Sequence, residues 1–202
     1  MAERAHPEDP GFKARFFGLI KSKYKQKLYE RYNFCNKYIK GKKVLDIPCG
    51  VGWGTSLLKK ADFIVGIDIS KEAINYAKKH YEAKNRKFYI GDMQSICLKR
   101  DSIDVVICLE GFEHVTKDIG ARFIEESIMV LKRGGSLIIT CPVLDEKGNT
   151  TGNPYHISEY PEYELIDILN RNFRIISLER IKGPDGPEYR ARLFNIKEGR
   201  YK

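Results

Sequence analysis

The chain predicts an α/β fold: a doubly wound, mostly parallel sheet with an antiparallel carboxyl-terminal strand pair and an extra amino-terminal helix. Three observations predict it. Short apolar runs alternate with amphipathic segments from Val44 onward. A glycine-rich turn follows the first of these runs, at Gly50, Gly52 and Gly54. Near the end, two strand-like runs are joined directly by Gly183-Pro184-Asp185-Gly186-Pro187, turn chemistry that makes the pair antiparallel.

The elements follow in order. Met1 to Pro10 is polar and contains proline, unlike a secretory or transit peptide, so residues 1–12 are expected to be a mobile tail. Residues 13–40 read as a basic amphipathic helix, with Phe16, Leu19, Ile20, Tyr24, Leu28 and Tyr32 at three- and four-residue steps and Gly41 as its stop. The α/β domain is expected over 41–202. Val44 to Ile47 is a buried strand, and Trp53 to Lys60 is expected to be a helix. Phe63 to Ile67 is the second strand. Ser70 can cap a helix whose Ala73, Ile74, Ala77 and Tyr81 share one face. Lys87 to Ile90 and the nearly all-apolar Ile103 to Leu109 are strands three and four, and Thr116 can cap the helix carrying Phe123, Ile124 and Leu131. Gly134-Gly135 is expected to end that unit before a fifth strand, Ser136 to Thr140. A polar loop over Asp145 to His156, a helix over Tyr160 to Asn170, and strands over Phe173 to Ile181 and Arg190 to Ile196 complete the domain.

The formal net charge is +9, and the excess is concentrated in and just after the first helix, where eleven bases from Lys13 to Lys43 face almost no acids. This is either a solvated helix face or a patch that steers an anionic acceptor. No run of apolar residues is long enough to span a bilayer. The five cysteines are odd in number, lack a C-x-x-C pair and sit mostly in apolar runs, which suits reduced thiols in a cytoplasmic protein.

The most informative stretch is Asp46-Ile47-Pro48-Cys49-Gly50-Val51-Gly52-Trp53, a strand running into a glycine turn and then a helix. Such a turn lies at the carboxyl edge of the sheet, where ligands bind. Asp68 ends the second strand, about 20 residues on, where an acid accepts ribose hydroxyls. At the end of the third strand Asp92 can accept an adenine amino group and Met93 can lie on the ring. A nicotinamide site is disfavoured, because Leu57 stands where a helix-packing glycine of G-x-G-x-x-G belongs.

These residues resemble the motifs of the class I S-adenosylmethionine-dependent methyltransferases over about 41–197. Asp46-x-Pro48-x-Gly50-x-Gly52 is similar to the first motif, with Pro48 departing from the usual small residue. Val65-Gly66-Ile67-Asp68, Gly91-Asp92, Ile103-Asp104-Val105-Val106 and Leu131 to Gly135 are similar to the later ones. The resemblance implies a Rossmann-like fold and S-adenosylmethionine as methyl donor. It places Gly50 and Gly52 along the methionine part, Asp46 near its amino group, Asp68 on ribose and Asp92 on adenine. Pro48, Cys49, Trp53, Ile69, Gly91, Met93 and Leu109 are the flanking residues expected to touch the donor.

On the acceptor side, strand four ends in Glu110-Gly111-Phe112-Glu113-His114. A hydroxyl acceptor benefits from a base or a metal. His114 is the candidate base, and Glu110 and Glu113 complete the candidate catalytic set. The E-x-x-E-H string resembles that of ubiquinone-pathway O-methyltransferases, which implies an optional divalent cation such as Mg²⁺ held by Glu110, Glu113 and His114. A second cluster, Asn153-Pro154-Tyr155-His156 with Glu159, falls in the loop after strand five, so Tyr155 and His156 join the catalytic candidates. Together the two strings look most like small sugar and glycan O-methyltransferases. A quinone, a phenol or RNA is the alternative acceptor, and a catalytically silent binding module the non-enzymatic alternative. The basic helix is a candidate lid over the acceptor.

Overall fold

The computed structural model describes residues 23–182 and 187–195. Its elements are α1 (Lys23–Cys35), β1 (Lys43–Asp46), β2 (Phe63–Asp68), α2 (Lys71–Tyr81), β3 (Arg86–Ile90), β4 (Ile103–Cys108), α3 (Lys117–Val130), β5 (Leu131–Pro142), α4 (Glu162–Asn172), β6 (Phe173–Lys182) and β7 (Pro187–Asn195). The sheet has seven strands in the order β3-β2-β1-β4-β5-β7-β6. The first five pair parallel; β7 pairs antiparallel with both β5 and β6. This is the expected doubly wound sheet with an antiparallel edge. The terminal turn predicted over 183–187 lies outside the described residues except for Pro187.

Alternation along the strands divides the core. Leu45, Val106, Cys108, Leu137 and Ile139 face one side, where Phe123, Ile124, Leu165 and Leu169 of α3 and α4 cover them. Val44, Val105, Ile107 and Ile138 face the other side, against Tyr32, Phe34 and Cys35 of α1 and Leu58. Ile74 and Ala77 of α2 close on Phe88 of β3 and Cys49. Strands buried on both faces explain the nearly continuous apolar runs.

Three expectations need correction. The helix expected over Trp53 to Lys60 is a single 3₁₀ turn, Thr55–Leu57. The amide of Lys59 bonds Asn36 Oδ1 at 3.1 Å, and Asn36 Nδ2 bonds the Leu57 carbonyl at 2.9 Å, so the end of α1 holds the turn to one revolution. Gly134-Gly135 does not precede β5 but lies within it. The pairing slips there, from Ile103 opposite Leu131 to Val105 opposite Ser136, and Gly134 takes φ +76° to make the bulge. Finally, the described part of the first helix is fixed to the sheet: Arg31, Tyr32, Phe34 and Cys35 are all buried. These residues are packed and do not form a lid; the rest of the expected helix and the expected tail over 1–12 lie outside the described residues.

Ser70 caps α2, its hydroxyl accepting the Ala73 amide at 3.2 Å. Thr116 occupies the cap position of α3 without a side-chain bond. Among the described residues no helix is long and apolar enough to cross a membrane.

Candidate active site at the carboxyl edge of the sheet

β1 ends in Asp46, fully buried, and the chain leaves the sheet through a cis Ile47–Pro48 bond. Gly111, after β4, lies flat on the Pro48 ring; a Cβ there would fall 2.3 Å from Pro48 Cδ. Pro48 therefore ties the glycine turn after β1 to the turn after β4. Gly50 takes φ +53° and Gly52 φ +77°. A Cβ on Gly52 would meet Ala77 Cβ at 2.8 Å and the Phe88 ring at 2.9 Å, so packing and backbone both require glycine. A Cβ on Gly50 would meet nothing within 4 Å, which leaves the main chain open to a ligand.

Two acids flank this turn. Asp68 Oδ2 accepts the Gly50 amide at 2.9 Å and Oδ1 accepts the Ser70 amide at 2.8 Å. A carboxylate has about four lone-pair sites, so two remain for ribose hydroxyls. Asp46 accepts the Thr55 hydroxyl at 2.6 Å and the Tyr32 phenol at 3.3 Å. Burial pushes its carboxyl up to about 7, against the opposing pull of these two hydrogen bonds. The positive charge of a bound donor would relieve that cost. These residues fit the methionine and ribose parts of S-adenosylmethionine.

The adenine side fits less completely. Asp92 is half-buried and accepts the Gln94 amide at 3.1 Å and its Nε2 at 2.8 Å, so its carboxylate also shapes its own turn. Met93 is buried in the main core. Leu109 and Cys49 are likewise buried, Trp53 is half-buried, and Ile69 is exposed beside Asp68. The Gly91 amide bonds the Asp68 carbonyl at 3.0 Å, fixing the β2 and β3 ends side by side.

At the end of β4, Glu110 adopts φ +52°. Its Oε1 accepts the Thr140 hydroxyl at 2.9 Å and lies 3.3 Å from Arg31 Nη2. Arg31 also donates through both Nε and Nη2 to the buried Glu188 of β7, with Nε at 2.9 Å. Burial pushes Glu110 up to about 7 even against the Arg31 charge. Phe112–His114 forms a 3₁₀ turn in which Glu113 is buried with no hydrogen-bond partner for either oxygen. Burial and then the nearby Glu110 push Glu113 well above the ordinary carboxylate range.

The loop after β5 is stapled to this turn. The Glu113 carbonyl accepts the amides of Ile157 at 2.8 Å and Ser158 at 3.0 Å. His114 Nδ1 lies 2.9 Å from the Tyr155 carbonyl, and the His114 and His156 rings meet edge to face at 5.3 Å. His156 Nδ1 lies 2.6 Å from Glu159 Oε1 and 2.9 Å from Thr151 Oγ1. Tyr155 enters through its carbonyl; its side chain is exposed.

The structure thus brings Glu113, His114 and His156 together and gives Glu110 to Arg31 and Thr140. Sequence reasoning missed Arg31, Tyr32, Thr55, Thr140, Thr151 and Glu188. Arg31 and Glu188 are 157 positions apart, so no local pattern joins them. Tyr32 was legible only as an apolar position of the helix.

A Rossmann-like sheet with a glycine turn between two acids is that of a nucleoside-cofactor domain. Residues 44–135 match a family described as methyltransferase domain. A probable S-adenosylmethionine-dependent methyltransferase of Mycolicibacterium smegmatis is 27% identical over 133 residues, 64% of this chain and 50% of that protein. A ubiquinone biosynthesis O-methyltransferase of Coxiella burnetii is 31% identical over 105 residues, 50% of this chain and 44% of that protein. Among solved structures, the N-methyltransferase NodS of Bradyrhizobium japonicum, in complex with S-adenosyl-L-homocysteine, superposes with TM-score 0.70 at 17% identity, covering 85% of this chain and 86% of that one. Over residues 44–135 the chain is thus similar to methyltransferase domains, and its fold is that of solved S-adenosylmethionine-dependent methyltransferases. It spans about half the length of the curated relatives it matches.

Proposed function

We propose that the protein is an S-adenosylmethionine-dependent O-methyltransferase whose acceptor is a hydroxyl of a small molecule, a sugar or glycan. One observation carries the donor half of this reading: Gly50 at φ +53°, open above its Cα and bracketed by buried Asp46 and Asp68. The hydroxyl half rests on two imidazoles on the same edge of the sheet, beyond Gly111, which packs on Pro48.

In the metal-free protein, the His114 Nε2 lone pair takes the hydroxyl proton. Its Nδ1–H is held by the Tyr155 carbonyl, which fixes that tautomer. The acceptor oxygen forms a bond to the donor methyl as the sulfur–methyl bond breaks, and the electron pair stays on sulfur as a thioether. Asp46 and Asp68 hold the donor in line, and the loop around His156 excludes water.

A second reading has a specific support. The Coxiella relative is named for ubiquinone biosynthesis, so a phenolic acceptor follows if that likeness extends to the acceptor loops. The five free thiols suit a reducing, cytoplasmic setting. Transfer of labelled methyl from the donor to a panel of sugars, phenols and RNA distinguishes the readings. Label entering sugar hydroxyls is expected; label entering only phenols or RNA rejects the sugar acceptor.

A further inference from the structure

Three ligand-capable side chains from two separate loops converge beside the acceptor wall. One donor atom each from Glu113, His114 and His156 lies within 4.8 Å of the others. Glu113 is 1% exposed, and neither carboxylate oxygen has a hydrogen-bond partner. A buried carboxylate in that position is costly unless a proton or a cation meets it.

The hydrogen bonds give the two rings the same tautomer. The Tyr155 carbonyl can only accept, so His114 carries its proton on Nδ1 and its lone pair on Nε2. Glu159 Oε1, 2.6 Å from His156 Nδ1, sets the same tautomer there, and Asn153 Nδ2 lies 3.1 Å from the His156 Nε2 lone pair. A ring N–H held by a carboxylate or carbonyl, which leaves the other nitrogen as a lone-pair donor, is the arrangement of ligating histidines, and a cation at His156 Nε2 would displace the Asn153 amide.

We infer that Glu113, His114 and His156 bind a divalent cation, that Glu159 orients His156 for it, and that Glu110 lies outside the ligand set. Glu110 is excluded by its contacts: Thr140 Oγ1 at 2.9 Å and Arg31 Nη2 at 3.3 Å, a cation already in place. The third ligand thus comes from the loop after β5. Two imidazoles and one carboxylate suit Mn²⁺, Co²⁺ or Zn²⁺ better than Mg²⁺. A divalent ion there lowers the pKa of a hydroxyl placed against it. With the ion bound both Nε2 lone pairs are engaged, so direct proton acceptance by His114 belongs to the metal-free state. What the ion does rests on the proposed O-methyl transfer; that it binds does not.

Chelator-treated protein is titrated with Mn²⁺ and followed by loss of the free-ion electron paramagnetic resonance signal. The same samples are titrated calorimetrically with S-adenosylhomocysteine. The expected result is one Mn²⁺ per chain, weakened about 10- to 100-fold in His156→Ala and in Glu113→Gln and unchanged in Glu110→Gln. Mg²⁺ is expected to displace it only at much higher concentration. No Mn²⁺ binding by the parent protein, full binding by His156→Ala, or loss in Glu110→Gln overturns the inference. Nucleoside binding that survives such a result leaves the methyltransferase reading intact, whereas its loss in the parent protein rejects that reading alone. Nucleoside binding retained by each variant also shows that the variant is folded.

Discussion

Tyr32 of α1 and Asp46 of β1 meet beneath the donor turn, the phenol donating to the carboxylate at 3.3 Å. The amino-terminal helix is thereby part of the proposed donor site. Tyr32→Phe removes a hydrogen bond to the ionised carboxylate, so the Asp46 pKa should rise further and donor affinity near neutral pH should fall by about tenfold, for about 1.4 kcal/mol. Calorimetry with S-adenosylhomocysteine measures it; unchanged affinity would show that the contact is structural only.

The same carboxyl predicts a pH dependence. Its pKa is raised from the ordinary value to about 7, chiefly by burial. Ionisation between pH 4 and 7 therefore weighs against the donor-free fold, since the unfolded chain loses its proton first. Asp46→Asn should raise the Tm of donor-free protein at pH 8, with the gain shrinking toward pH 5. Donor affinity should climb as pH rises toward 7, because a cationic donor prefers the ionised acid, and the climb should flatten in Asp46→Asn. A flat profile in the parent protein would exclude Asp46 from contact with the donor's positive charge.

The two turn glycines should separate stability from binding. Gly52→Ala places a Cβ 2.8 Å from Ala77 Cβ at φ +77°, and should cost about 1–3 kcal/mol of stability. Gly50→Ala meets open space at φ +53°, and should cost only about 1 kcal/mol while weakening donor binding more than Gly52→Ala does per unit of stability lost. Thermal melts and calorimetry on both variants check this.

Arg31 sits between Glu188 and Glu110, and both Arg31 and Glu188 are 2% exposed. Arg31→Met leaves buried carboxylates unpaired and should destabilise the fold by about 3–5 kcal/mol. The double variant with Glu188→Leu should recover a large part of that loss, measured by denaturant unfolding. Additive losses would mean that the pair is not coupled.

Much of this architecture was legible because strands buried on both faces write themselves as apolar runs, as Val44 to Ile47 and Ile103 to Leu109 do. The donor turn was legible because positive φ demands glycine at Gly50 and Gly52. The 3₁₀ turn at Thr55–Leu57 was not, since the bonds that hold it come from Asn36, in the turn just past α1. Nor was the partition of the E-x-x-E-H string. Its spacing makes Glu110 and Glu113 look equivalent, and contacts from Arg31 and Thr140, both distant in sequence, tell them apart. His156 and Glu159 were visible as neighbours in sequence, but the approach of His156 to Glu113 depends on amides of Ile157 and Ser158 reaching the Glu113 carbonyl.

The central claim is that Asp68, anchored by the Gly50 and Ser70 amides, holds the ribose of S-adenosylmethionine. Calorimetric titration with S-adenosylhomocysteine tests it most directly in the parent protein and in Asp68→Ala. Saturable binding with one site per chain, weakened at least about tenfold by the substitution, is the predicted result. No binding by the parent protein, or equal binding by both, would contradict it.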